Sequence, residues 1–148
     1  YLPFNDANNQ NFKNYLHIHI DERWEKFDDN LYINFINKIN DILNKNKIVI
    51  TSNINGNKFY FKIKDEFKSN DNFLFKDNVS IKDLLNIIFY SQAVLSSHSG
   101  FIVHAAAAFK KKIIDLVPKN INNELDRWVP YNINYKRFNN EDFSKLFI

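Results

Sequence analysis

Between Ser96 and Ala108 the chain runs Ser-Ser-His-Ser-Gly-Phe-Ile-Val-His-Ala-Ala-Ala-Ala, residue types from which a site for an anion can be built. An apolar run, Ala93 to Leu95, leads into small polar residues and one of only two glycines, and an alanine stretch with strong helical propensity follows. The pattern predicts a strand, a tight turn and a helix. The first four amides of a helix lack intrahelical partners, and the aligned peptide dipoles concentrate partial positive charge there, so a phosphate is held by backbone alone. Ser99 can cap the helix or donate its hydroxyl, Gly100 lets a ligand approach the main chain closely, and the alanines allow tight packing against a sheet. An ordinary capped turn would use the same residues, so this stretch alone leaves the two readings level.

Two further groups carry usable chemistry. His17 and His19 stand at i and i+2 in Tyr15-Leu16-His17-Ile18-His19-Ile20, a spacing that puts both on one face of a strand. They could bind a metal, but no third ligand is suggested nearby, so they are expected to be half-buried strand residues under a covering layer. No metal site is predicted. Asp21-Glu22-Arg23-Trp24-Glu25-Lys26 follows at the carboxyl end of that strand, where open α/β sheets place their ligand crevice. Arg23 and Lys26 could reach a phosphate there; the alternative is an exposed loop of compensating charges around a packed Trp24.

The elements that must position these residues follow from periodicity. Residues 1–14 are polar and irregular and are expected to be a linker or arm. After the first strand, Asp28 or Asp29 can cap a helix in which Tyr32, Phe35, Ile36, Ile39, Ile42 and Leu43 recur at helical spacing. Ile48-Val49-Ile50, within 47–51, has the continuous apolar character of a buried parallel strand. Between Ser52 and Lys76 the text is ambiguous: Phe59, Phe61 and Ile63 alternate like a strand, whereas Phe59, Ile63 and Phe67 fit a helix, which is the reading preferred here. Phe73 to Phe75 is a short strand, and Ser80 with Asp83 opens a largely buried helix in the manner of a capping box. Lys112 to Val117 is a strand ended by Pro118, followed by a polar loop with Glu124, Asp126, Arg127 and Trp128. A last strand falls around Ile133 to Phe138, and a helix begins near Asn140. Strands alternating with helices predict an α/β domain, Rossmann-like and three-layered, with a mostly parallel sheet covered on both faces.

Composition limits the function classes. The length of 148 residues suits one domain, which at this size buries roughly two-thirds of its unfolded surface. A hydrophobic fraction of 45% argues against disorder despite 25 asparagines. The net charge of +3 comes from 20 basic and 17 acidic residues interspersed without a basic stripe, so no nucleic-acid partner is expected. Lys110-Lys111-Lys112 is the one basic run, read as a solvated helix end, with a peripheral membrane contact as the lesser alternative. The absence of cysteine fits a reducing compartment, and no apolar stretch approaches the roughly 20 residues of a membrane span, so a cytoplasmic protein is expected. Methionine is also absent, so Tyr1 is expected to follow something upstream.

In this order of elements the chain resembles the C-terminal half of a two-domain glycosyltransferase of the GT-B architecture, specifically the ADP-heptose lipopolysaccharide heptosyltransferase family. That family carries a strand, Asp-Ser-Gly-x-x-His, an alanine-rich helix, an apolar strand, a proline turn and Trp-x-Pro. Here the matching text is His98-Ser99-Gly100-Phe101-Ile102-Val103-His104 and the alanines, then Ile113 to Pro118, then Trp128-Val129-Pro130. The resemblance covers about residues 15–143. It implies that residues 15–148 form a nucleotide-sugar-binding domain, with an N-terminal acceptor domain absent from this chain. It also implies donor diphosphate near Ser99 and Gly100, a basic residue after the first strand, Arg23 first and Lys26 second, and donor contacts at His98 and His104. His98 stands where the family has aspartate. Three residues rather than two separate Gly100 from His104, which turns that histidine by about 100°.

The function so implied is transfer of a sugar from a nucleotide-sugar to a glycan or glycolipid acceptor of the bacterial surface, lipopolysaccharide-like, with the nucleotide-sugar as substrate and no cofactor. Helix amides and a cation would stabilise the diphosphate leaving group, and the acceptor's base would come from the other domain. Two alternatives remain open: a nucleotide-sugar epimerase-like domain, and a non-catalytic domain in which the motif only caps a helix.

Overall fold

The computed structural model describes residues 15–26, 29–43, 46–53, 58–117, 129–130 and 134–139. The expected arm at 1–14, the loop with Glu124 to Trp128, Pro118 and the helix near Asn140 lie outside the described residues. Strand β1 (Tyr15–Ile20) leads through a 3-10 helix (Glu22–Lys26) into α1 (Asp29–Leu43), β2 (Lys47–Ser52), α2 (Lys58–Phe67) and β3 (Phe73–Lys76). Then come α3 (Ile81–Tyr90), β4 (Ala93–Ser96), α4 (Gly100–Ala108), β5 (Lys112–Val117) and β6 (Tyr135–Asn139). The six strands form one sheet in the order β3-β2-β1-β4-β5-β6, and every neighbouring pair is parallel.

Side chains alternate across this sheet with the period of two that a strand imposes, and each face takes its own helices. On one face Leu16, Ile18, Ile20, Ile48, Ile50, Leu95, Ile114 and Leu116 are buried under α1 (Leu31, Phe35, Ile39, Ile42) and α2 (Phe59, Tyr60, Ile63, Phe67). On the other, Val94 and Ile113 pack against Leu84 and Ile88 of α3 and against Ile102, Val103 and Ala106 of α4. Val49 meets Ile87 on this second face. The arrangement is the three-layer α/β domain expected. The ambiguous segment after Ser52 is helical from Lys58: Phe59, Ile63 and Phe67 are buried, whereas Phe61, which a strand reading would pair with them, is 47% exposed.

Several predicted local signals are realised. Ser80 caps α3, its hydroxyl oxygen accepting the Asp83 N–H at 3.1 Å and its O–H donating to Asp83 Oδ2 at 2.7 Å. The basic run is only partly a helix end: α4 stops at Ala108, Lys111 lies over the Phe89 ring at 5.5 Å, and Lys112 opens β5. This run therefore sits at the amino ends of the strands, opposite the edge from which the β1 and β4 loops leave.

The second sheet face holds polar residues as well. His17 and His19 are buried more deeply than the sequence suggested, at 0% and 6% exposure, because α3 covers the face that carries them. Thr51 of β2 stands beside them, with Oγ1 2.8 Å from His17 Nε2 and 2.9 Å from His19 Nδ1. One hydroxyl can donate to one ring and accept from the other, so Thr51 serves both rings when each is neutral. Burial, reinforced by the neighbouring His19, holds the His17 pKa well below its usual value.

Candidate functional site

From β1 the chain steps outward to β2 and β3, then returns to lay β4 against the other side of β1. The loops leaving the carboxyl ends of β1 and β4 therefore diverge to helices on opposite faces, and a crevice opens between them at the point where the strand order reverses. Arg23 follows β1, and Ser99 and Gly100 follow β4, so the topology alone brings these sequence-predicted residues to one place.

Trp24 fixes the β1 side. Its ring is fully buried against Phe35 and Phe59, at centroid separations of 5.3 and 5.2 Å, and its Nε1–H donates to the His19 carbonyl at 3.0 Å. Asp21 starts the 3-10 helix by accepting the Arg23 N–H at 3.0 Å. With the turn anchored on both sides, the Arg23 guanidinium, 42% exposed, crosses to the β4 loop, where Nη1 donates to the His98 carbonyl oxygen. It also stays 3.9 Å from Asp21 Oδ2. Burial is the main cause that pushes the Asp21 carboxyl up to about 6, against the Arg23 N–H, which lowers it. Lys26 closes the same turn, and its side chain lies outside the described residues.

The β4 side is held from the neighbouring strand. His98 adopts φ 52°, the left-handed region uncommon for residues other than glycine. Asp115 of β5, fully buried, secures it there: Oδ1 accepts the His98 N–H at 2.6 Å, and Oδ2 lies 2.5 Å from His98 Nδ1. Tyr135 of β6 donates its hydroxyl to the same Oδ2 at 2.5 Å, and Arg137 Nε donates to the tyrosine oxygen at 3.3 Å. Burial and the adjacent Asp115 push the Tyr135 pKa up, so its proton stays available to the carboxylate. The result is a chain of polar contacts from Arg23 through His98 and Asp115 to Tyr135 and Arg137, crossing β1, β4, β5 and β6.

Of the two roles that the sequence left open for Ser99, capping is not the one realised. The residue occupies the N-cap position of α4, but its hydroxyl makes no capping bond; instead Ser96 Oγ accepts the Ser99 N–H at 3.1 Å. Gly100 is exposed, and no atom lies within 4 Å of the position a Cβ would take, so neither packing nor backbone strain demands glycine there. The space beside Gly100 is open. Ser97, buried in the same turn at 1% exposure, has an Oγ without a hydrogen-bond partner among the described residues. His104 is exposed on α4, a turn beyond Gly100, with no hydrogen bond or ion pair to the Arg23–His98–Asp115 cluster among the described residues. The structure does not bring it into the site.

Sequence reasoning missed Asp115, Tyr135 and Arg137. A trace of Asp115 was available: it is the only charged residue inside the apolar run Ile113 to Val117. A buried carboxylate needs donors, and nothing adjacent in the chain supplies them. No group of three or more metal-ligating side chains occurs among the described residues, and no helix among them is long and apolar enough to cross a membrane.

No family model matches the sequence, and no curated protein matches it. Solved structures do match in shape. E. coli heptosyltransferase WaaC with ADP superposes with a TM-score of 0.62 at 12% identity, over 87% of this chain and 38% of that one. UDP-GlcNAc 2-epimerase from Methanocaldococcus jannaschii gives a TM-score of 0.64 at 18% identity, over 90% and 38%. The same enzyme in complex with UDP-GlcNAc and UDP gives 0.62 at 20%, over 91% and 38%. The chain thus spans about 38% of the length of these neighbours. At such identities the shared property is the fold: a Rossmann-like α/β domain, as in one domain of a GT-B protein.

Proposed function

We propose that this chain is a nucleotide-sugar-binding domain, the donor half of a glycosyltransferase that transfers sugar to a glycan or glycolipid acceptor. The observation that carries the reading is the meeting of Arg23 with the His98–Gly100 turn at the reversal point of the sheet, beside open space over Gly100. An exposed guanidinium and the amino end of α4 make a cradle for a diphosphate, and the buried, unpartnered Ser97 Oγ lies in the same turn. Structural neighbours solved with ADP and with UDP-GlcNAc and UDP add support from outside the chain.

In this reading the donor's diphosphate lies against the Gly100 amide and the Ser99 hydroxyl, the Ser99 N–H being held by Ser96 Oγ, with Arg23 moving from the His98 carbonyl to the phosphate oxygens and Lys26 assisting. As the glycosidic bond to the sugar breaks, negative charge grows on the departing diphosphate, and fixed amides plus a guanidinium stabilise it without metal. His98 contributes the shape of the turn and His104 stands aside. The acceptor and its base belong to a further domain, and the reaction would take place in the cytoplasm. A membrane contact through Lys110 to Lys112 would leave the crevice facing away from the bilayer.

An epimerase-like domain is the second reading, favoured by the two epimerase structures among the neighbours and by carboxylates at the crevice, Asp21 and Asp115. Asp115 is fully engaged with His98 and Tyr135, which favours the transferase reading. Calorimetric titration with ADP, UDP and GDP tests nucleotide binding itself. Saturable binding is expected, weakened about tenfold or more by Arg23→Ala, the usual scale for losing a hydrogen bond to a charged group. Gly100→Leu should abolish binding while leaving the thermal transition near that of wild type, since the added Cβ meets no atom within 4 Å. Nucleotide affinity indifferent to both substitutions would sink the assignment.

A further inference from the structure

Among the described residues four large apolar side chains are exposed, and two of them, Ile81 and Phe101, begin adjacent helices at the crevice edge of the sheet. Phe101 is 46% exposed and follows Gly100 directly. It shares a stripe with His104 and Ala108, also exposed, while Ile102, Val103 and Ala106 face the core. Long side chains in a helix lean toward its N-terminus and cover the turn before their own Cα. For Phe101, the second residue of α4, that turn is Ser97 to Gly100, so the general lean of helical side chains directs its ring toward the turn that carries the proposed anion cradle rather than along the body of the helix. Burying such a ring in water-excluding contact is favourable, and no helix or strand of the described residues buries it.

We propose that Phe101 is the platform on which the base ring of the nucleotide lies, beside the diphosphate held by Arg23 and the α4 amides. The proposal rests on the nucleotide-binding reading above and deepens it. The juxtaposition suits a molecule with a doubly charged end and a flat apolar end a few ångströms apart: the charged end meets the guanidinium and amides, and the flat end covers the exposed phenyl face. Stacking on a phenyl ring accepts any base, because every base has a π-face. Phe101 thus supplies affinity for nucleotides as a class. Ile81, 67% exposed at the start of α3, adds a second apolar side chain along the same edge.

The test compares ligands that share the phosphates and differ in the rest. ADP, UDP, GDP and inorganic pyrophosphate are titrated against the wild-type chain, Phe101→Ala, Phe101→Trp and Arg23→Ala. Phe101→Ala is expected to weaken the nucleoside diphosphates about tenfold and to leave pyrophosphate within twofold, as loss of one base–aromatic stack predicts. Phe101→Trp keeps a stacking face and should retain nucleotide affinity. Arg23→Ala should weaken all four ligands alike. Pyrophosphate binding as tightly as the nucleotides, or Phe101→Ala weakening both equally, overturns the platform while leaving the anion cradle standing. Absence of binding by all four ligands to the wild-type chain overturns both readings. The thermal transition of Phe101→Ala should match the wild type, since an exposed ring contributes little to the core.

Discussion

Asp115→Ala is expected to lower the unfolding free energy by about 3–5 kcal/mol, the scale for removing one partner of a buried polar cluster and leaving several donors unpaired. The carboxylate has no exposed surface and answers three donors: the His98 N–H, His98 Nδ1 and the Tyr135 hydroxyl. Alanine leaves all three without that acceptor, each at a cost of about 1–3 kcal/mol where water cannot replace it. The consequence goes beyond stability, because the same bonds hold His98 at φ 52° and so fix the carbonyl on which Arg23 rests. Asp115→Asn retains one acceptor oxygen and should fall between wild type and alanine. Tyr135→Phe removes one donor only and should cost about 1 kcal/mol. Urea denaturation reads the series directly, as a midpoint shift at unchanged slope. A change below about 1 kcal/mol in the alanine variant would show that the carboxylate does not hold the turn.

The framework that positions this cluster was legible because it depends on periodicity within each element. Leu16, Ile18 and Ile20 declare β1 by alternation, the run around Val49 declares β2, and the spacing from Tyr32 to Leu43 declares α1. Even the ambiguous aromatic segment resolves by the same rule once burial is known, since Phe59, Ile63 and Phe67 turn inward and Phe61 does not. Arg23 was legible as well, because its place at the carboxyl end of the first strand is a statement about topology. The cluster itself was not. Asp115 lies 17 residues after His98 and 20 before Tyr135, and no local pattern reports a contact formed only when β4, β5 and β6 lie side by side. Ser99 illustrates the converse: it has the residue type and position of a cap, yet a local bond to Ser96 and the tertiary contact of His98 with Asp115 secure the turn without its hydroxyl.

Acid should destabilise the domain well before carboxylates normally protonate, and the histidine face is the reason. Burial lowers the His19 pKa to about 4, with Glu22 opposing, and lowers that of His17 well below its usual value, with His19 reinforcing. Between pH 6.5 and about 4 the unfolded chain therefore holds protons that the folded chain refuses, so stability falls as pH falls. For His19 a lowering from 6.5 to about 4 corresponds to roughly 3 kcal/mol lost by the bottom of that window. Asp21 acts in the opposite sense: raised from 3.8 to about 6, it binds a proton more readily when folded, and so returns a similar amount across nearly the same range. These two contributions nearly cancel, which leaves the His17 contribution as the net loss. Asp21→Asn separates them. The amide keeps an oxygen to accept the Arg23 N–H, removes a buried charge at neutral pH, and abolishes the compensation. The variant should be more stable than wild type at pH 7, and its stability should fall more steeply, by roughly 3 kcal/mol more between pH 7 and pH 4. Urea unfolding at half-unit pH intervals measures both slopes; parallel curves for the two proteins would mean that Asp21 does not titrate in this window, and a wild-type stability that rises toward pH 4 would mean that His17 and His19 accept protons in place.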